Sequence, residues 1–242
     1  MDLKNTDNLV LVLGSTGSGK STFINTLLNQ DGRMEVGNDL NSLTHKVDHA
    51  YLTGISSHLN DRIVLVDTPG FDDTWTGDYE ILEIIAAWLH GAHEKGAKVR
   101  GVVYIYDISL ERLTNTARRN LQLLQKLCGD QALKNVMFVT TKWDRMSGNA
   151  EYRLQQLKKG DWEPFVKSGS YFAQFDKTLD CQAAVELLKP LLSSPPVELG
   201  IQREMRTAPL WRTTVGIFTK KEIRKPAFGV QKKGWKIPLR FW

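Results

Sequence analysis

The chain has 242 residues, of which 41% are hydrophobic, 24% charged and 9% aromatic, a composition that excludes wholesale disorder. Cys128 and Cys181 lie far apart in sequence and match no ligand spacing, so neither a disulfide framework nor a cysteine zinc site is expected, and a reducing, cytoplasmic setting is. The net charge of +5 is uneven: from residue 219 to 242, eight Lys or Arg stand against Glu222 alone, and the rest of the chain is slightly acidic. The basic balance therefore belongs to one end, and nucleic acid is not an expected partner of the whole.

The predicted elements alternate between strand and helix, the pattern of a parallel sheet covered by helices. Residues 9–13, Leu-Val-Leu-Val-Leu, read as a strand buried on both faces and are far too short to cross a bilayer. The polar residues before them carry acids and lack the basic and apolar regions of a secretory leader. Residues 20–28 form a helix with Phe23, Ile24, Leu27 and Leu28 on one face. Residues 29–44 read as a loop. Residues 47–55 and 62–67 are two strands whose short connection suits antiparallel pairing.

A helix follows at 79–89 and a strand at 101–106. Ala117, Leu121, Leu124 and Cys128 mark a helix that Gly129 ends. Then come a strand at 136–140, a weaker helix at 150–159, a strand at 170–175 and a helix at 183–189. Pro190 and the Pro195-Pro196 pair are expected to close that helix, because proline cannot continue one. The compact domain is thus placed at residues 1–194. Residues 195–242 are expected to hold a short helix at 197–205 and a disordered tail in which Lys and Arg mix with aromatics. Such a tail suits either an anionic membrane surface, which would make the protein membrane-peripheral, or a non-functional extension.

Three motifs carry chemistry. Gly14-Ser15-Thr16-Gly17-Ser18-Gly19-Lys20-Ser21 fits G-x-x-x-x-G-K-[ST], between a buried strand and a helix. Its glycines let backbone N–H groups wrap phosphate, aided by the helix N-terminus. Lys20 would meet the β- and γ-phosphates, and Ser21 would hold Mg²⁺. Ser15 through Thr22 are the candidate phosphate-binding residues. The second motif, Asp67-Thr68-Pro69-Gly70, ends an apolar strand. Asp67 is there a candidate Mg²⁺ partner, and the Gly70 N–H a candidate for the γ-phosphate. The third, Thr141-Lys142-Trp143-Asp144, also ends a strand. Asp144 could accept from guanine N1–H and the exocyclic amine, whereas adenine would leave the carboxylate unpaired.

These motifs, in this order, resemble the guanine-nucleotide-binding domain of translation-factor-class GTPases. Gly14 to Ser21, Asp67-Thr68-Pro69-Gly70-Phe71-Asp72-Asp73 and Ala117-Arg118-Arg119-Asn120-Leu121 bring the chain closer to septins and to immunity-associated GTPases of the avirulence-induced-gene type. Fungal G-domain proteins of that type are similar too. The resemblance covers residues 9–192. It implies a three-layer α/β P-loop G domain, with a mostly parallel central sheet, one antiparallel strand and helices on both faces. It implies GTP as substrate, Mg²⁺ as cofactor and hydrolysis to GDP and phosphate. It further implies that Thr44 holds Mg²⁺ and γ-phosphate, and that the loop at Asp176 meets the base edge. Related GTPases of this type carry asparagine where Asp176 stands.

One departure bears on mechanism. Small Ras-like GTPases place a water-orienting glutamine after the glycine, and here the residue is Phe71. Lys20, Thr44 and Gly70 are then left as the catalytic set. Arg112, Arg118 and Arg119 are candidates to supply charge across a homodimer formed through the nucleotide face. Two competing readings are a GTP-dependent oligomerisation module with negligible turnover and an ATPase. The ATPase reading lacks a glutamate after Asp67 and an L-S-G-G-Q signature. The five histidines form no ligand set.

Overall fold

The computed structural model describes residues 2–30, 32–34, 47–52, 62–71, 77–110, 113–146 and 148–223. Thr44, Arg112, Asp72, Asp73 and the tail from residue 224 lie outside these. Among the described residues six strands form one sheet: β1 (Asn8–Gly14), β2 (Asp48–Leu52), β3 (Ile63–Asp67), β4 (Lys98–Asp107), β5 (Val136–Thr141) and β6 (Tyr171–Gln174). Their order is β2-β3-β1-β4-β5-β6. Every pairing is parallel except β2 with β3, the antiparallel pair expected from the short connection.

The sheet divides the core by strand periodicity. Val10 and Val12 of β1 face one apolar cluster, Leu9, Leu11 and Leu13 the other. The first cluster is closed by α1 (Lys20–Leu28) and α6 (Cys181–Ser193), through Phe23, Ile24, Leu188 and Leu191. The second is closed by α2 (Asp78–Glu94) and α3 (Asn115–Cys128), with α4 (Ala150–Lys159) and α5 (Glu163–Lys167) beside them. Because both faces are covered, the strands read as continuous apolar runs rather than alternating ones. Phe138, Trp162, Phe165 and Phe172 pack ring against ring at the β5–β6 end, with Phe138 stacked on Phe172, edge-to-face with Phe165, and 4.6 Å from Trp162 between centroids.

Two expectations are corrected at the C-terminal end. Pro190 does not close α6, which continues to Ser193. An internal proline costs about 3 kcal/mol, but burying Leu188, Leu191 and Leu192 returns about 1.5–3 kcal/mol each. Gly101 makes the room: a Cβ there would stand 2.5 Å from Leu191 Cδ1.

The packed body also runs past Pro196. Val197 donates its N–H to Val99 O at 2.8 Å. Then α7 (Gly200–Met205) and α8 (Thr214–Ile223) lie against α2 and α3, with Leu199, Ile201 and Val215 in the core. Gly129 and Gly200 meet where a Cβ on either would be 3.1 Å from the other's Cα. The apolar period of α8 was hidden because its inner face is built from Val215, Gly216, Phe218 and Thr219, two of them small or polar.

Candidate functional site

The loop between β1 and α1 turns on glycines. Gly17 (φ 71°) and Gly19 (φ 102°) occupy left-handed backbone that other residues rarely adopt. Ser18 N–H donates to Ser15 O at 3.2 Å, closing the turn. Lys20 begins α1 and is buried, and its ammonium donates to Gly14 O (3.2 Å) and Ser15 O (3.0 Å). Thr16 Oγ1 and Ser18 Oγ are buried without hydrogen-bond partners among the described residues.

β3 delivers Asp67 beside this loop. Ser21 Oγ donates to Asp67 Oδ2 at 2.9 Å, while Oδ1 is buried with no hydrogen-bond partner among the described residues. Burial raises the Asp67 pKa, opposed by the Lys20 charge and the Ser21 hydroxyl. Among the described residues no three His, Cys, Asp or Glu side chains gather as a metal site. A hydroxyl and a carboxylate with a spare oxygen nonetheless fit Mg²⁺, which takes few protein oxygens and fills its shell with water and phosphate.

Gly70 comes so close to the loop that a Cβ would stand 2.5 Å from Thr16 Oγ1. Phe71 forms an isolated parallel bridge with Ser15, and its ring is wholly buried in the core. A residue held this way has no path to a water at the phosphate end. Thr68, beside Asp67, is also committed to structure, donating Oγ1 to Val12 O at 2.8 Å.

At the other end, Ser18, Gly19 and Thr22 share a cleft with Thr141 to Arg145 and Phe175 to Lys177. Its volume, about 130 Å³, is below the ~300–1,000 Å³ of a whole-ligand pocket. It has room for a base, not for a complete nucleotide. Thr141 Oγ1 donates to Ser18 O at 2.8 Å, so this residue braces the loop. Lys142 (φ 58°) turns its ammonium to Asp107 Oδ2 at 2.7 Å. Asp144 Oδ2 accepts from Lys177 at 2.8 Å, which holds its carboxyl below the ordinary range. Asp176 Oδ1 accepts from Thr178 N–H and Oγ1, both at 2.8 Å, which likewise lowers its pKa. Asp176 thus reaches the cleft wall with one oxygen committed to its own turn.

Sequence reasoning missed three contributors. Asp107 anchors Lys142, Lys177 neutralises Asp144, and Asn120 of α3 donates Nδ2 to Ser15 Oγ at 3.2 Å. Asn120 was visible only as part of a motif. Of the arginines, Arg119 pairs with Asp78 at 2.5 Å and exposed Arg118 with Asp161 at 3.1 Å.

The strand order, the glycine loop between a buried strand and α1, and the aspartate ending β3 define a P-loop GTPase G domain. Solved structures share this fold. Toc33 from Arabidopsis thaliana, in complex with Mg²⁺ and GMPPNP, matches with a TM-score of 0.58 at 16% identity, over 77% of this chain and 83% of that one. Era from Aquifex aeolicus matches with a TM-score of 0.53 at 19% identity, over 79% of this chain and 58% of that one. Among curated proteins, GTPase Era of Mycoplasma genitalium is 35% identical over 71 residues, 29% of this chain and 23% of its own length. GTPase Era of Mesorhizobium japonicum is 41% identical over 63 residues, 25% of this chain and 18% of its own length. The chain thus spans about a fifth of the length of the curated relatives it matches. The AIG1 family model matches residues 8–161, and the chain belongs to the AIG1 family.

Proposed function

We propose that this chain binds GTP with Mg²⁺ and hydrolyses it to GDP and phosphate. The observation that carries this reading is one chain of contacts: Asp67 bonded to Ser21 and Gly70 against Thr16 at one end of the loop, and Ser18, Gly19 and Thr22 lining the cleft with Asp144 at the other. Ser15 to Gly19 would present backbone N–H groups to the phosphates, and Lys20 would leave the loop carbonyls for the β- and γ-oxygens. Ser21 and Asp67, with Thr44, would hold Mg²⁺, which neutralises charge developing on the phosphoryl group. Gly70 N–H would meet the γ-phosphate. Asp144 would accept from guanine, giving up Lys177, and Lys142 would lie along the base plane.

Phe71, which follows Gly70, is packed inward and cannot orient water. Turnover by one copy is accordingly slow, and a second copy docked on the nucleotide face would supply charge. Arg118 suits that role better than Arg119, because its pairing with Asp161 is exposed while Arg119 is held at Asp78. One Toc33 structure is described with dimerization as important for GTPase activity of the chloroplast translocon components atToc33 and psToc159. Titration of the purified protein with fluorescent GDP and ADP in Mg²⁺ tests the reading: tight GDP binding supports it, and preference for ADP overturns it. Turnover per molecule that stays constant from low to high protein concentration would remove the dimer.

A further inference from the structure

Asn120 is an unfavourable residue where it stands. It lies inside α3, where asparagine is a weak helix former, and it has no solvent exposure. Leu121, Leu123 and Leu124 beside it are core. Its Oδ1 is buried with no partner among the described residues, a penalty of order 1–3 kcal/mol. An aliphatic side chain would avoid that penalty. What asparagine adds is one contact, from Nδ2 to Ser15 Oγ at 3.2 Å, joining positions 105 residues apart.

Ser15 is not a neutral recipient. It bridges in parallel to Phe71, and the Phe71 N–H donates to Gly14 O at 3.3 Å. Phe71 is the residue after Gly70, which lies against Thr16 without room for a Cβ. The Thr114 hydroxyl caps α3 by accepting from Ala117 N–H at 3.1 Å, and buried Leu121, Leu124 and Leu127 hold the helix on the sheet. Asn120 therefore links a fixed helix to the two backbone segments that face each other at the phosphate end.

We propose that Asn120 is a positioning residue for the hydrolytic step: through Ser15 and the Ser15–Phe71 bridge it sets where the Gly70 N–H stands against the phosphate loop. This rests on the GTPase reading for its consequence, not for its geometry. It separates two properties. GDP would be held by the loop amides, Lys20 and the base cleft; Asn120 meets that loop only at the Ser15 hydroxyl, and Ser15→Ala keeps the backbone amide. Hydrolysis depends on the register of Gly70.

The test compares Asn120→Ala, Ser15→Ala and the double variant with the wild type. Ser15→Ala removes the acceptor without disturbing the interior of α3, so it stands in should Asn120→Ala fail to fold. In nucleotide-free protein, hydrogen exchange at the Phe71 amide should accelerate by about tenfold in each single variant, the equivalent of one lost hydrogen bond. Single-turnover GTP hydrolysis should fall by about tenfold, GDP affinity by less than about threefold, and the double variant should lose no more than either single one. Asn120→Ser, which keeps a donor, should recover part of the rate. Unchanged exchange at Phe71 overturns the proposal, as do parallel, additive losses of rate and GDP affinity. A wild type that does not hydrolyse GTP would defeat the GTPase reading, while the exchange measurement would still decide whether Asn120 fixes Phe71.

Discussion

The two ends of the candidate site are built differently. At the phosphate end, position is set by buried backbone: Gly70 against Thr16, Phe71 bridged to Ser15, Asp67 bonded to Ser21. At the base end, the reading group is an exposed carboxylate in an ion pair with Lys177, whose side chains are 46% and 66% exposed. The first end holds its backbone through contacts within the protein, and Lys20 trades its loop carbonyls for phosphate. The second must exchange one partner for another on binding. Exposed ion pairs contribute about 0–1 kcal/mol, so that exchange costs little. Affinity should then reside mainly at the phosphate end, and discrimination at the base end.

Lys20→Ala should have the largest effect. Losing charge-assisted contacts worth about 1.5–3 kcal/mol apiece should weaken GTP and GDP binding by roughly a hundredfold, measured by fluorescence titration. An equal loss on Lys142→Ala would erase the contrast between the ends. Asp144→Asn should come next, weakening GDP by roughly 10–100-fold while leaving inorganic triphosphate binding unchanged. Gly70→Ala should slow hydrolysis by about tenfold and destabilise by about 1–3 kcal/mol in urea unfolding, because the new methyl overlaps Thr16. GDP affinity should move less than its rate.

The smallest effect belongs to Lys177→Ala. Lys177 lowers the Asp144 carboxyl pKa, so the carboxylate keeps its charge to a lower pH than it would alone. Without Lys177, the Asp144 carbon-13 carboxyl resonance should titrate at higher pH. An unchanged titration would mean that Lys177 does not set the charge of the base-reading group.

Much of this was legible in the sequence. β1, β3 and the loop at Gly14 to Ser21 are contiguous, so pattern alone located them. The antiparallel β2–β3 pair followed from chain length between two strands. The supports of the site were not legible, because each joins distant positions: Asp107 to Lys142, Lys177 to Asp144, Asn120 to Ser15. A single buried amide leaves no periodic signal. Pro190 was misread because local propensity favours a stop, while the slot at Gly101 belongs to β4, far away in sequence. α8 was missed because a face containing glycine and threonine does not look apolar until it is seen packed.

The family match ends at residue 161, but the sheet does not. β6 and α6 lie beyond that point, and so do α7 and α8, which cover α2 and α3. A fragment trimmed there would present β5, Val-Met-Phe-Val-Thr-Thr, as a bare edge with its ladder groups unpaired. It would also uncover the apolar flank that Leu199, Ile201 and Val215 now seal. Such a piece would be prone to self-association in solution, whatever nucleotide it held. For expression and crystallisation, the shortest practical boundary is therefore the end of α8, some sixty residues past the recognisable motif region.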